Sequence, residues 1–291
     1  MKVLLLGTAA GGGFPQWNCA CRMCAADLPA RTQDCVAFSA DGTGWYLINA
    51  SPDIRAQILS TPELTAGPGP RDTPLRGALL TDAELDHTLG LTMLREGAGL
   101  RVWAPGAALQ ALRTDFPLQG IVSRYGAWQW QQAVGSFPVD GLTVTVFPIS
   151  DKRPKYAQST VDGPWVVAYK ISDPAGGTLV YAPCLKSWPD GFDELTADAT
   201  CVILDGTFYS PDEMSGATDA GVGSGAQRAM GHIPIAGPDG SLARIARRPG
   251  KRWIYTHLNN TNPILDPDSE QYKEVLAAGA EAPPDGTLID V

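Results

Sequence analysis

Positions 81–87 read TDAELDH, which packs one histidine and three carboxylates, Asp82, Glu84 and Asp86, directly behind the apolar run GALL. Acidic residues at a helix start suit the positive end of the helix dipole, and capping of that kind accounts for one or two carboxylates. Three carboxylates beside a histidine are better matched to a divalent cation. The apolar run reads as a buried strand that delivers Asp82 to its carboxyl end, where open α/β sheets bind ligands.

A second constellation lies near the amino terminus, where Cys19, Cys21 and Cys24 form CxCxxC. Thiols clustered this tightly read as a metal site in a reducing compartment rather than as a disulfide framework. A structural zinc takes four ligands in a tetrahedron, so three thiolates need one more. The remaining candidates are His87, His232, His257, Cys35, Cys184 and Cys201. Cys35 and Cys201 sit in apolar runs, where a free cysteine behaves as a small buried hydrophobe. His232, in the turn-like GHIP, has no apolar face to account for it. We therefore expect Cys19, Cys21, Cys24 and His232 to hold a structural zinc, with a redox or inert thiol cluster as the alternative.

The elements that must position these residues follow from hydrophobic pattern. Strands are expected at 2–6, 36–39, 45–49, 77–81, 102–104, 142–148, 165–171, 178–181, 201–204 and 252–256. Helices are expected at 52–60, 87–96, 107–115, from about 190, at 240–246 and at 269–278. Early strands are close neighbours and later ones alternate with helices in both halves, which favours a layered α/β sandwich over a doubly wound sheet. No repeat and no long linker divides the chain, so one domain over 1–291 is expected. Gly7, Gly11, Gly12 and Gly13 follow the first strand, yet no GK[ST] and no amphipathic helix succeed them, so neither a P-loop nor a dinucleotide fingerprint fits. Their expected role is a tight backbone path beside a site.

The net charge of -9 argues against nucleic acid or an anionic membrane as a partner. The longest apolar runs are far short of a membrane span, and the opening MKVLLLG is too short for a secretory core, so a cytoplasmic protein is expected.

The motif strand-T-x-x-x-x-D-H-x-x-G resembles the metallo-β-lactamase superfamily's T-H-x-H-x-D-H, with Asp82 and Glu84 in place of its first two histidines. Asp86 and His87 correspond to its Asp-His pair, and His257 in WIYTHLNNTNP to its last histidine. MKVLLLGTAAGGGFPQWNCACRMC, RTQDCVAFSADG, TDAELDHTLGLTMLREG, YAPCL, DGTFYSPDEM, MGHIPI and HLNNTNPIL together resemble the coenzyme PQQ (pyrroloquinoline quinone) synthesis protein B family, in the family's order and across essentially the whole chain. The resemblance implies an α/β fold of metallo-β-lactamase type, a four-layer αβ/βα sandwich of two mixed sheets flanked by helices. A related phosphodiesterase subgroup carries the same cysteine cluster with a histidine at the position of His232, in agreement with the zinc assignment.

In the superfamily's hydrolases two zinc ions lie side by side, and the first depends on three histidines. Those positions fall here on Asp82, Glu84 and a residue near Asp151, and a bridging aspartate falls near Cys184, which weakens a dinuclear reading. Asp86, His87 and His257 remain, and two imidazoles with one carboxylate are the ligand set of mononuclear Fe(II) enzymes, although zinc uses such a set too. Family members are implicated in oxygen-dependent hydroxylation of the tyrosine-derived part of a PQQ precursor, which requires a redox metal.

The resemblance thus implies Fe(II) on Asp86, His87 and His257, with O2 as co-substrate. Asp205 would be a further ligand or would orient an imidazole. Asp82 and Glu84 would take phenol protons or bind amino groups. Asn259 and Asn260 would line the rim. The implied substrate is a glutamate cross-linked to tyrosine. Its carboxylates need cations, for which Lys152, Arg153, Lys155 and Lys186 are available, or are simply solvated surface. Other PQQ biosynthesis proteins are the implied partners. Two competing expectations are a zinc hydrolase and a non-enzymatic carrier that binds PQQ or its precursor and assists transport.

Overall fold

Alternation in the first strand shows how this chain builds layers. In KVLLLG, Val3 and Leu5 pack on one side and Leu4 and Leu6 on the other, and all four are buried. A strand apolar on both faces must lie between two layers. The computed structural model describes residues 1–214, 226–248 and 250–291. Among them the strands are β1 (Lys2–Gly7), β2 (Cys35–Ser39), β3 (Trp45–Ile48), β4 (Leu75–Leu79), β5 (Arg101–Ala104), β6 (Gln129–Gln132), β7 (Ser136–Val139), β8 (Leu142–Ser150), β9 (Val166–Ser172), β10 (Thr178–Ala182), β11 (Cys201–Asp205), β12 (Arg252–Thr256), β13 (Ala280–Glu281) and β14 (Thr287–Asp290).

They form two seven-stranded sheets, ordered β14-β1-β2-β3-β4-β5-β6 and β13-β12-β11-β10-β9-β8-β7. Both are mixed. The runs β3 to β6 and β10 to β13 are parallel, and the remaining pairs are antiparallel. One apolar cluster, with Val3, Phe38 and Ile48 facing Tyr169, Tyr181 and Ile203, fills the space between the sheets. A second packs the helices Ile54–Ser60 and Gly106–Thr114 on the outer face of the first sheet. A third covers the second sheet with Phe192, Ile245 and Val275. This is the four-layer sandwich expected above.

The departures from expectation have local causes. Strand β6 lies outside the expected elements, because its sequence QWQQ is polar, as suits an edge strand paired on one side only. Strands β7, β13 and β14 and the short helix Leu118–Val122 are likewise additional to the expected elements. The helix expected at 87–96 instead starts at Leu85, runs as α-helix to Thr88 and tightens into a 3₁₀ turn over Leu89–Thr92. Among the described residues no helix is long and apolar enough to cross a membrane.

The α-helical piece carries His87, and Gly90 in the turn after it is what lets the segment sit down. The Gly90 N–H donates to Ala50 O at 2.9 Å, and the His87 carbonyl accepts from Ala50 N at 2.7 Å. A Cβ on Gly90 would lie 2.1 Å from Ser51 O and 2.6 Å from Ala50 O, both backbone atoms that cannot swing aside. Gly90→Ala should therefore cost about 3 kcal/mol, the upper part of the overpacking range, as read from the urea midpoint. An unchanged midpoint would show that this seating is loose.

Candidate metal centre

The chain beside the TDAELDH loop is set by Asn49, a residue type that tolerates the left-handed backbone it adopts, with φ 64°. Its Oδ1 accepts the Thr81 N–H at 2.9 Å and lies 3.1 Å from the Thr81 hydroxyl. From that anchor the loop turns inward. Asp82 is buried, accepts the Glu84 N–H at 2.8 Å, and has both carboxylate oxygens 2.8 Å from His87 Nδ1. A carboxylate there keeps the proton on Nδ1 and leaves Nε2 to face the interior. Nε2 of His87 is buried with no hydrogen-bond partner among the described residues.

His257 follows β12 with φ 58°, a conformation a histidine rarely adopts outside sites that require it. Its Nδ1 lies 2.9 Å from the Thr207 hydroxyl, and its Nε2 lies 3.3 Å from Asp86 Oδ2. The same Asp86 oxygen is 3.7 Å from His87 Nε2, and the two imidazole centroids are 5.3 Å apart. Asp86, His87 and His257 thus converge, from the end of β4 in one sheet and β12 in the other. Gly11 allows it, since a Cβ there would sit 3.1 Å from Asp86 Oδ2. This is the tight path expected of the glycine loop.

The charges follow from the packing. Burial works against the charged form of His87, but Asp82 and Asp86 outweigh it and push the pKa up to about 10. Burial opposes ionisation of Asp86 as well, and His87 and His257 hold it well below the usual carboxylate range. His257 is desolvated yet raised, by Asp86. Protons here do the charge balancing that a cation would do, and neutral imidazoles with a carboxylate are what a divalent metal binds. The orphaned His87 Nε2 and the converging donors fit such an ion.

Around this point opens a cavity of about 730 Å³, within the ordinary range for small-ligand sites. Glu84, Asp86, His87, Cys184, His232 and His257 are among its polar lining, together with Lys152, Arg153 and Lys155. Leu85, Tyr156, Phe208 and Met230 add apolar wall.

Several expectations are corrected. Asp82 does not face a substrate, because its oxygens are used by His87 and by the loop itself. Asp205 is likewise enclosed, accepting from the Leu185 and Thr207 N–H groups at 2.7 and 3.0 Å and lying 2.8 Å from His232 Nδ1. Its imidazole contact is with His232 rather than with His87 or His257. His232 is not brought to the cysteines. Its Nδ1 is engaged by Asp205 and Thr207, and its ring stacks on His257 at 5.2 Å, so it belongs to the cavity. Asp205, His232 and His257 do cluster, but the short contacts join Nδ1 atoms to their acceptors rather than leaving lone pairs converging. Asp151 is exposed and sits 3.9 Å from Lys186, and neither lines the cavity. Glu84 does line it, paired with Lys152 Nζ at 2.8 Å.

The thiols of Cys19, Cys21 and Cys24 lie within 4.8 Å of one another. Among the described residues, the side chain of Asn260 reaches them, with Nδ2 3.2 Å from Cys19 Sγ and 3.3 Å from Cys24 Sγ. Asn260 therefore leaves the rim to which it was assigned, while Asn259 stays on it. Thr207, Asn49 and Tyr156 went unnoticed as site residues, because a threonine or asparagine between apolar runs looks like any turn residue.

A profile of the Beta-lactamase superfamily domain matches residues 44–258. A coenzyme PQQ synthesis protein B from Pseudomonas putida is 40% identical over 99% of both chains, and one from Pseudomonas syringae is 38% identical over 100% of both. The crystal structure of Zn(2+)-bound PqqB from Methylobacterium extorquens superposes with a TM-score of 0.90 at 34% identity, covering 100% of each chain. A diphosphatase of the PhnP family, at TM-score 0.71 and 19% identity over 99% of this chain and 96% of its own, shares the fold.

Two measurements check the electrostatics. His87, raised from 6.5 to about 10, stabilises the metal-free fold fully below pH 6.5 and loses that contribution as pH climbs through about 10. The thermal midpoint of metal-free protein should fall across this window, and Asp82→Asn should flatten the fall; equal slopes would contradict the assignment. Thr207→Val, which unseats the Nδ1 partner of His257, should weaken divalent-metal affinity about 10- to 100-fold by calorimetry.

Proposed function

The chain belongs to the coenzyme PQQ synthesis protein B family of the β-lactamase superfamily, and from that premise we propose that it is a metal-dependent enzyme of PQQ biosynthesis. Its reaction, in this reading, is the Fe(II)- and O2-dependent hydroxylation of the tyrosine moiety of a cross-linked Glu-Tyr precursor. The observation that carries the proposal is the convergence of Asp86, His87 and His257 on one point, with the two imidazoles held at Nδ1 by Asp82 and Thr207. Two imidazoles and a carboxylate suit Fe(II). A bound Fe(II) would supply the redox chemistry with O2 that ring hydroxylation requires and zinc lacks.

The other residues suit the substrate. Lys152, Arg153 and Lys155 offer cations to its carboxylates, and Glu84, on the same wall, offers an acceptor to an amine. Phe208, Leu85 and Met230 give a tyrosine ring apolar surface. The same arrangement speaks against a dinuclear hydrolase. Of the three carboxylates at the first-metal positions, Asp82 is turned to His87, Glu84 is paired with Lys152, and Asp151 is outside the cavity. The zinc of the Methylobacterium extorquens protein supports occupancy by a divalent metal and leaves a zinc enzyme as the second reading. The three cysteines, next to Asn260, would hold a separate structural zinc, with a carbonyl or amide oxygen or a water as the fourth ligand.

Metal analysis of anaerobically purified protein should find Fe(II) and zinc in equal amount, and oxygen uptake should depend on the Glu-Tyr precursor. His257→Ala should lower that uptake by on the order of 100-fold. Precursor-dependent turnover without oxygen uptake would favour the zinc enzyme, and precursor binding without any turnover would favour the carrier.

A further inference from the structure

The cysteines outside the amino-terminal cluster do not share one environment. Cys35 is fully buried in β2 and its thiol contacts Asn49 O at 3.3 Å, while Cys201 packs among apolar residues between the sheets. Both behave as small hydrophobes. Cys184, two residues past the end of β10, is placed differently. It lines the cavity, and its Sγ and one ring nitrogen each of His87 and His257 all lie within 4.8 Å of one another. The backbone on its carboxyl side is pinned, because the Leu185 N–H donates to Asp205 Oδ2 at 2.7 Å and the Leu185 carbonyl accepts from Ile233 N at 2.6 Å. A thiol held so firmly beside the unpartnered, buried Nε2 of His87 faces the same point that Asp86 and His257 face.

We propose that Cys184 is a thiolate ligand of the metal held by Asp86, His87 and His257. The centre then has two imidazoles, one carboxylate and one thiolate. Coordination forms one sulfur–metal bond and breaks the S–H bond, its proton passing to solvent with no change in oxidation state. A soft donor in this shell favours zinc or iron over magnesium, calcium or manganese. The inference rests on the metal reading above but not on the identity of the metal or on the hydroxylase activity. It also separates this centre from the Cys19, Cys21 and Cys24 site, which uses other sulfurs and lies against Asn260.

Cobalt(II) reports sulfur ligation directly. Full-length protein keeping zinc on the amino-terminal cysteines, confirmed by elemental analysis, is titrated with Co(II) as wild type, Cys184→Ser and Cys184→Ala. Wild type is expected to show a near-ultraviolet sulfur-to-cobalt charge-transfer band beside the visible ligand-field bands. Both variants should keep the ligand-field bands, lose the charge-transfer band and bind Co(II) at least about 10- to 100-fold more weakly, the loss typical even of an outer-shell partner. Circular dichroism and retained zinc show that they fold. A charge-transfer band that persists in both variants overturns the proposal, as does wild type with ligand-field bands alone; in either case the metal reading survives. Failure of wild type to take up Co(II) in the cavity overturns the metal reading together with this inference.

Discussion

The buried contact between the Asp82 carboxylate and His87 Nδ1, 2.8 Å to either oxygen, is the constraint from which the centre is organised. It decides which nitrogen carries the proton, where the ring points and how much positive charge the metal-free site holds. It is also why Nε2 of His87 can be buried without a partner, an arrangement that costs free energy unless something binds there. The same device recurs, with Thr207 at His257 and Asp205 at His232. In each case an oxygen at Nδ1 turns the other nitrogen toward the cavity.

Such rigidity needs a frame that spans both sheets. The Leu258 N–H donates to Thr8 O at 2.9 Å and the Ala10 N–H to Leu258 O at 2.8 Å, which ties the end of β12 to the loop after β1. The Val167 N–H donates to Thr81 O at 2.9 Å, tying β9 to the end of β4. Asp34, just before β2 of one sheet, accepts hydrogen bonds from the Tyr181 and Thr256 hydroxyls, so a buried carboxylate of one sheet is satisfied by side chains of the other. These ties hold His257 in its left-handed conformation, the kind of local strain that persists only where the surroundings over-determine it.

Carboxylates at 82 and 84, where the superfamily resemblance expects histidines, change more than ligand number. A histidine offers a metal a neutral nitrogen, whereas Asp82 and Glu84 bring negative charge and find cations, one the His87 ring and the other Lys152. Asp82 thereby supports the His87 ring, and Glu84 joins the wall of the cavity. The loop still reads as a metal motif because Asp86 and His87 keep their places.

The sequence by itself determined the layers, the strand ends at which the loops emerge and the pairing of Asp86 with His87 in one compact motif, because hydrophobic alternation and short motifs are local properties of the chain; His257, 171 positions from Asp86, was joined to them only through the family resemblance. It could not determine what faces the cavity. His232, assigned to the cysteines by elimination, sits instead against Asp205, Thr207 and His257, and Asn260 sits against the thiols. Asp82 was read as open to substrate and is closed by its own loop. Cys184 looked like one thiol among six and lies beside two imidazoles. The placements of His232, Asn260 and Cys184 depend on which strand ends meet across the sandwich. Residues more than twenty positions apart are brought within hydrogen-bond reach by sheet order and backbone ties, and no spacing along the chain encodes those distances.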